Sequence, residues 1–118
     1  MKTIFILEDS IIISKLLETI LIGKGYDVIT CTSVSCVQAL KKPIDFAILD
    51  YQLPDGTGLE VAEALRNKKP SLPMILLTAR GSQIPTDQLE TSGISQVVEK
   101  PVDSSAILDI ITNSLGTS

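Results

Sequence analysis

The chain has 118 residues but no histidine, no tryptophan and only two cysteines. Cys31 and Cys36 lie five residues apart, and this spacing differs from that of a CxxC redox pair. A usual zinc site is also excluded, because the chain has no histidine to complete it. We therefore interpret both cysteines as buried free thiols in a reducing cytoplasm.

Clustered positive charge and long apolar runs are missing as well. The 10 Lys and Arg residues face 14 Asp and Glu residues, and no basic cluster exceeds the pairs Lys41-Lys42 and Lys68-Lys69. A protein that binds the phosphate backbone of nucleic acids needs more positive charge. No apolar stretch approaches the roughly 20 residues of a membrane span, and the apolar run after Thr3 is too short for a signal peptide. We expect a cytoplasmic protein that binds neither nucleic acid nor membranes.

The apolar content is sufficient for one folded domain. Hydrophobic residues make up 44% and charged residues 20% of the composition, which argues against disorder and against a coiled coil. A chain of this length forms one domain with a core, but not two. The sequence has no internal repeat and no linker, so we predict a single domain over residues 1–118.

Strand and helix signals alternate along this domain. Short aliphatic runs predict strands, and apolar residues at helical spacing behind a capping residue predict helices. The predicted strands cover residues 3–7, 26–31, 46–49, 73–78 and 95–98, and the predicted helices cover 10–23, 33–40, 57–67, 83–91 and 103–111. This alternation predicts a doubly wound α/β fold, with a five-stranded parallel sheet in the order 2-1-3-4-5 and helices on both faces.

Polar residues follow four of the five predicted strands. Glu8 and Asp9 follow the first strand, Asp50 the third, Thr78 the fourth and Lys100 the fifth. Ligands of doubly wound sheets bind beyond the carboxyl ends of the strands, and the first and third strands are neighbours in the predicted order. Three carboxylates therefore share one cleft, where two unit charges about 4 Å apart repel by about 4 kcal/mol at an effective dielectric constant of 20.

This repulsion predicts either a bound cation or a raised carboxyl pKa. Oxygen ligands without histidine or thiolate favour a hard ion, and Mg²⁺ fits best, with Mn²⁺ as the alternative. Thr78 and Lys100 place a hydroxyl and an ammonium beside Asp50, and such donors suit additional anionic oxygens on that carboxylate. We infer a phosphoryl group there, with Asp50 as the nucleophile that forms an acyl phosphate.

In type, order and spacing, these residues resemble the response-regulator receiver domains of two-component signalling, which have the flavodoxin-like receiver fold. The resemblance rests on the polar strand ends and the loop after the third strand, namely Glu8-Asp9, Asp50, Thr78, Lys100-Pro101 and residues 50–60. It implies that Asp50 is the phosphoacceptor and that Thr78 and Lys100 contact the phosphoryl group. It also implies a cis peptide bond before Pro101.

The same resemblance implies a set of cation ligands and a signalling function. Asp9 and Asp50 would bind Mg²⁺ directly, Glu8 mainly through water, and Gln52 through its backbone carbonyl. Asp50 would take its phosphoryl group from a histidine kinase or a histidine phosphotransfer protein, as in a phosphorelay, since this chain has no histidine to act as donor. The domain would then change its output surface for a downstream protein that the sequence does not name, and it would not be an enzyme.

The chain departs from the family pattern at the output end. Val97 stands where many family members have an aromatic residue that couples the site to the output face. Because a valine side chain is short and stiff, we expect the response to phosphorylation at residues 78–86 instead. Gln52 and Arg80 flank the site and are expected to set the lifetime of the phosphate, whereas Gly56 and Gly58 are interpreted as turn glycines.

Two other functions stay open at this point. The chain could be a receiver-like interaction module that phosphorylation does not control, for which Val97 is the best argument. It could also be a small-molecule phosphatase with an aspartyl nucleophile. That class usually has a second acid two residues after the nucleophile, where this chain has Gln52. Competence in phosphotransfer distinguishes these functions from the switch.

Overall fold

The computed structural model describes residues 1–116, so the predicted domain boundary at residue 118 lies outside the described residues. In chain order the elements are β1 (Thr3–Leu7), α1 (Ile11–Gly23), β2 (Asp27–Cys31), a 3₁₀ helix (Val34–Ala39), β3 (Phe46–Asp50), β4 (Gln52–Leu53), β5 (Gly56–Thr57), α2 (Gly58–Lys68), β6 (Met74–Thr78), α3 (Thr86–Ser92), β7 (Gln96–Glu99) and α4 (Ser104–Leu115). None of the helices within residues 1–116 combines the length and the apolar character of a membrane span.

Five strands form the central sheet in the order β2-β1-β3-β6-β7, and every pair is parallel. The register places Leu7 of β1 beside Cys31 of β2 and Leu49 of β3. Counted as the five long strands of the chain, this is the order 2-1-3-4-5, so the predicted fold is confirmed. The carboxyl ends of β1 and β3 therefore lie side by side at one edge of the sheet.

Alternating side chains of the buried strands divide the core into two layers. One layer packs against the 3₁₀ helix, α2 and α3, and its strand residues are Phe5, Leu7, Ala47, Leu49, Met74 and Leu76. The other packs against α1 and α4, and its strand residues are Ile4, Ile6, Phe46, Ile48, Ile75 and Leu77. Because β1, β3 and β6 are buried on both faces, their sequences are continuous apolar runs. This packing fixes where the strands end.

Three helices begin at the capping residues that the sequence predicts. The Ser10 hydroxyl accepts a hydrogen bond from the Ile13 N–H at 3.4 Å, and Thr57 forms a capping box with Glu60. Asp103 accepts hydrogen bonds from the first turn of α4. Ser10 directly follows the acidic pair after β1, so α1 begins immediately beyond Glu8 and Asp9.

The segment predicted as a short helix at 33–40 is a 3₁₀ helix instead. Ser33 makes no side-chain cap bond to it. The first two N–H groups, those of Val34 and Ser35, donate to the Asp55 carboxylate at 2.8 and 3.1 Å. Asp55 lies between β4 and β5, so a tertiary contact supplies the acceptor for these two N–H groups. Short 3₁₀ helices are frequent as connectors between other elements.

The prediction that Cys31 and Cys36 are free thiols is wrong. The two residues form a disulfide, with their Cα atoms 5.7 Å apart. β2 ends at Cys31, and the turn into the 3₁₀ helix brings Cys36 back within the Cα separation that a disulfide requires. The bond therefore ties the end of β2 to the 3₁₀ helix.

α3 begins later than predicted. The prediction placed it at 83–91 with Pro85 in the first turn, whereas Pro85 is the N-cap residue and the helix covers Thr86–Ser92. A proline disfavours helical conformation in the residue before it, so residues 83 and 84 stay outside the helix. Gly93, with a φ of 84°, ends α3 in the left-handed conformation.

The segment after Asp50 was predicted as a loop, and it contains a small antiparallel hairpin of β4 and β5. Gly56 and Gly58, interpreted above as turn glycines, do not have positive φ angles. A Cβ at Gly58 would collide with the backbone carbonyl oxygen of Asp50, and one at Gly56 would lie 3.0 Å from Val34 Cγ2. Both glycines therefore serve close approach, and Gly58 sets the start of α2 directly against the end of β3.

Gly58→Ala should destabilise the domain, because the new methyl group must push the Asp50 carbonyl away. We expect a loss of about 2 kcal/mol, as at overpacked sites, and a Tm lower by about 10 °C. Gly23→Ala is the matched control, since a Cβ at Gly23 meets nothing within 4 Å. Thermal unfolding followed by circular dichroism measures both, and equal stability of the two variants would contradict the close-approach role.

Candidate functional site

Two neighbouring strands deliver the acidic residues of the site. Glu8 follows β1 and is fully buried: its backbone N–H donates to the Cys31 carbonyl at 3.0 Å, and its Oε2 accepts from the Ser10 N–H at 3.0 Å. Asp9 is exposed at the mouth of the cleft. Asp50 is the last residue of β3 and is only 4% exposed. The structure thus brings together the three carboxylates that the sequence predicted at one edge.

Ligand oxygens of Glu8, Asp9 and Asp50 lie within 4.8 Å of one another. The Lys100 Nζ lies 3.0 Å from Glu8 Oε1 and 3.3 Å from Asp50 Oδ1, so one ammonium balances part of the negative charge. Despite this ion pair, the buried Glu8 Oε1 has no hydrogen-bond partner within residues 1–116. A buried oxygen that lacks a hydrogen bond is costly, and the ion pair with Lys100 offsets part of that cost.

The close approach of these charged groups shifts the pKa values of Asp50, Asp9 and Lys100. Burial raises the pKa of Asp50 to about 7, with Glu8 and Asp9 acting in the same direction and Lys100 opposing them. Hydrogen bonding with the Glu8 side chain holds the pKa of Asp9 below its usual value of 3.8. Burial alone would lower the pKa of Lys100, but the Glu8 and Asp50 carboxylates raise it above its usual value. The cluster therefore resists full ionisation unless more positive charge is added.

An open cleft of about 400 Å³ lies directly above these residues. Its walls are the acidic cluster, the hairpin that follows β3 and the residue after β6, namely Asp9, Asp50, Tyr51, Gln52, Leu53, Pro54, Ala79 and Lys100. Gln52 lies on the wall of the cleft in β4, and its side chain is exposed. The Lys100–Pro101 peptide bond is cis, as expected.

Thr78 lies near the cleft but does not point its hydroxyl at Asp50. It is the last residue of β6 and is 3% exposed, and its Oγ1 donates to the Ala79 carbonyl at 3.5 Å. Within residues 1–116 its hydroxyl makes no hydrogen bond to Asp50. The expected pair of donors beside Asp50 is therefore reduced to Lys100 in this structure.

The residues present fit a hard divalent cation. All side-chain donors are carboxylate oxygens, which suit Mg²⁺ better than softer metals. The buried Glu8 Oε1 supplies an oxygen that already lacks a hydrogen bond. Sequence reasoning missed the backbone N–H of Ser10, which orients Glu8, because a main-chain donor leaves no signal in the residue type.

The model of the response regulator receiver domain matches residues 4–112 of this chain. The chain therefore belongs to the response regulator receiver domain family. Its predicted fold also agrees with solved structures of the family. A CheY-like receiver domain protein from Methanospirillum hungatei JF-1 superposes with a TM-score of 0.88 at 25% identity, and the match covers 98% of this chain and 94% of that one.

Two further proteins are similar in sequence. The response regulator TrrA from Thermotoga maritima has 28% identity and a TM-score of 0.83, covering 97% of this chain and 99% of that one. The response regulator protein PilR from Pseudomonas aeruginosa is 29% identical over 112 residues, which are 93% of this chain but 25% of PilR. The chain spans about a quarter to about a half of the length of the curated relatives it matches.

The raised pKa predicts that Asp50 destabilises the cation-free protein at neutral pH. Because its pKa is about 7 when folded against an ordinary value of 3.8, stability should fall as the pH rises between these values. Asp50→Asn removes this loss. In chelator at about pH 8 the variant should melt roughly 5 °C above the wild type, and the difference should shrink towards about pH 5.

Asp109→Asn is the control for this measurement, because Asp109 is exposed on α4. It should leave the wild-type pH dependence of the Tm unchanged. Parallel pH profiles of the wild type and Asp50→Asn would show that Asp50 does not carry the repulsion.

Proposed function

We propose that this domain is a phosphoryl-accepting signalling switch, in which Asp50 is phosphorylated in a Mg²⁺-dependent reaction. The observation that carries the proposal is the cluster of the buried Glu8 and Asp50 with the exposed Asp9, in which the Lys100 ammonium lies 3.0 and 3.3 Å from the Glu8 and Asp50 carboxylates. Such a cluster suits a metal ion and a nucleophilic carboxylate together. The relative TrrA, crystallised in complex with Mg²⁺-BeF, supports both the ion and a phosphoryl-like ligand.

In the proposed reaction, one Asp50 carboxylate oxygen attacks the phosphorus atom of the donor. The new O–P bond makes an acyl phosphate, the P–N bond to a histidine imidazole breaks, and the imidazole keeps the electron pair and takes up a proton. Bound Mg²⁺ would screen the negative oxygens of the transferred group. Lys100 neutralises further charge beside Asp50, and the rigid end of β3 holds the nucleophile in place.

We assign the cation ligands and the partners accordingly. Asp9 and Asp50 would bind Mg²⁺ or Mn²⁺ directly, Glu8 mainly through water, and Gln52 through its backbone carbonyl, while Thr78 turns its hydroxyl towards the phosphoryl group. The donor would be a histidine kinase or a histidine phosphotransfer protein, because the chain has no histidine of its own. We place the domain, as one unit over residues 1–118, in the cytoplasm where such kinases act.

An exposed Gln52 on the wall of the cleft favours a switch over a phosphatase. A phosphatase with an aspartyl nucleophile needs a nearby acid and base to expel the leaving group and activate water. Gln52 cannot exchange a proton in this way, and its side chain is open to solvent. The phosphoryl group should therefore persist on Asp50 long enough to act as a signal.

A small phosphodonor such as acetyl phosphate should add one phosphoryl group to wild-type protein when Mg²⁺ is present. Asp50→Asn and chelator should each abolish the addition, because one removes the nucleophile and the other the cation. Asp87→Asn is the matched control, since Asp87 is an exposed carboxylate of α3. Intact-mass spectrometry measures the label. Equal labelling of Asp50→Asn, or in chelator, would overturn the assignment of Asp50 or of the cation. A wild type that takes no label would overturn the proposal in favour of an unregulated interaction module.

The segment after Thr78 is the part of the site that is free to respond. Arg80, Gly81 and Ser82 are exposed, and the Gly81 N–H donates to the Glu99 carboxylate at 3.3 Å. Val97, in contrast, is paired with Leu76 in the sheet and packs in the layer facing α2. Its short side chain has no ring to move when Thr78 turns.

Amide chemical shifts measured with and without Mg²⁺-beryllofluoride should therefore change most at residues 78–86, once residues that touch the ligand are set aside. Residue 97 and residues 106–111 should change little, because they keep their packing. Asp50→Asn with the same reagents is the control and should show no change at 78–86. Shifts along 97 and 106–111 as large as those after Thr78 would contradict this route for the signal.

A further inference from the structure

One wall of the cleft is anchored at a site remote in sequence. The hairpin of β4 and β5 carries Gln52, and Asp55 lies at its turn. The Asp55 carboxylate accepts hydrogen bonds from the Val34 and Ser35 N–H groups at 2.8 and 3.1 Å. These backbone bonds also lower the pKa of Asp55, so the anchor is ionised at neutral pH. The position of the hairpin therefore depends on the start of the 3₁₀ helix.

The 3₁₀ helix is in turn held by a covalent bond. The disulfide joins Cys36, inside the 3₁₀ helix, to Cys31 at the end of β2. The Cys31 carbonyl in turn accepts the backbone N–H of Glu8 at 3.0 Å. The Cys31–Cys36 disulfide thus connects the end of β2, which binds the Glu8 backbone, with the 3₁₀ helix, whose first N–H groups bind Asp55. The two walls of the acidic cleft are linked through it.

We propose that the Cys31–Cys36 disulfide is a reducible brace that holds the hairpin through Asp55 and thereby sets the cation affinity of the cleft. The regulatory consequence rests on the proposed function, because a weaker cation site slows the phosphorylation of Asp50. Asp55 is a positioning residue in this scheme, since it contacts the Val34 and Ser35 N–H groups and not the reacting atoms. Reduction frees the 3₁₀ helix to rearrange, and the Val34 and Ser35 donors lose their fixed place beneath Asp55.

The redox step is an ordinary thiol–disulfide exchange. A thiolate of a low-molecular-weight thiol or of a dithiol reductase attacks the disulfide and forms a mixed disulfide with the protein. A second thiol from the same source then attacks this mixed disulfide, and the reductant leaves as its own disulfide. Two cysteine thiols form, two electrons and two protons enter the protein, and the reverse exchange restores the bond. Cys36 is partly exposed, whereas Cys31 is 4% exposed, so the first attack falls on the Cys36 sulfur.

A Mg²⁺ titration of the oxidised and the reduced full chain tests the brace, with amide shifts of residues 8–10 and 50–57 as the signal. We expect reduction to weaken the Mg²⁺ affinity by about tenfold. This is the lower end of the loss of affinity that follows when a group that orients a metal ligand is removed. A Cys31→Ser/Cys36→Ser double variant should bind Mg²⁺ as the reduced protein does and should not respond to reductant. Asp55→Asn should weaken binding with the disulfide intact, whereas Asp87→Asn should not.

Each result decides the proposal. Equal Mg²⁺ affinity of the oxidised and reduced chain, a reduced chain that unfolds as a whole, or thiols that cannot be oxidised to the disulfide would overturn it. Wild-type affinity in Asp55→Asn would overturn the role of the anchor. The titration contains no phosphodonor, so it tests the cation site separately from the phosphoacceptor role of Asp50. If Mg²⁺ affinity follows the redox state but Asp50 is never labelled by acetyl phosphate, the brace stands and the phosphoacceptor assignment fails.

Discussion

Three carboxylates share a small cleft with one ammonium group, and the chemistry of the site depends on how their repulsion is balanced. Glu8 is fully buried and Asp50 nearly so, which removes the water that would otherwise screen their charges. Among residues 1–116, Lys100 provides the ion pairs to this cluster, and it contacts Glu8 and Asp50 at once. One positive charge cannot neutralise three negative ones. The cluster therefore keeps a net negative charge that a bound cation would balance.

The parallel sheet is what forces the acids together. β1 and β3 are adjacent, they run in the same direction and they are buried on both faces, so their carboxyl ends open at the same edge. A buried strand cannot shift along its axis without moving a whole apolar layer of the core. Glu8 and Asp50 therefore keep a fixed position relative to each other. The absence of a side chain at Gly58 lets α2 begin directly against Asp50. Core packing thus maintains an arrangement that electrostatics alone would disperse.

Local patterns in the sequence were sufficient for the five strands of the central sheet, their order and the cap residues of α1, α2 and α4, but not for the short β4–β5 hairpin. Those features depend on apolar periodicity and on caps within four residues, both of which can be read directly. The short helix predicted at 33–40 is a 3₁₀ helix, and its type was not predictable because Val34 and Ser35 donate to Asp55, which lies 21 and 20 residues away. The close approach of Gly58 to the Asp50 carbonyl likewise depends on packing. The disulfide joins residues only five positions apart, and it depends on the turn between them, which the spacing of the cysteines does not specify.

The candidate site was predictable as a set of residues but not as a geometry. Acids and a lysine at strand ends identify Glu8, Asp9, Asp50 and Lys100, because the topology places those ends together. The direction of the Thr78 hydroxyl, which donates to the Ala79 carbonyl, follows from the rotamer and not from the residue type. The same holds for Glu8 Oε1, which pairs with the Lys100 ammonium at 3.0 Å but accepts no hydrogen bond within residues 1–116.

The central claim is that the acidic cluster is relieved by a divalent cation, and thermal unfolding at increasing Mg²⁺ tests it most directly. Since a ligand that binds only the folded state stabilises it in proportion to the logarithm of its concentration, the wild-type Tm should rise steadily with Mg²⁺. Sodium chloride of equal ionic strength should not reproduce the rise, and Glu8→Gln/Asp9→Asn should lack it. A wild-type Tm that responds equally to Mg²⁺ and to sodium chloride would contradict the account.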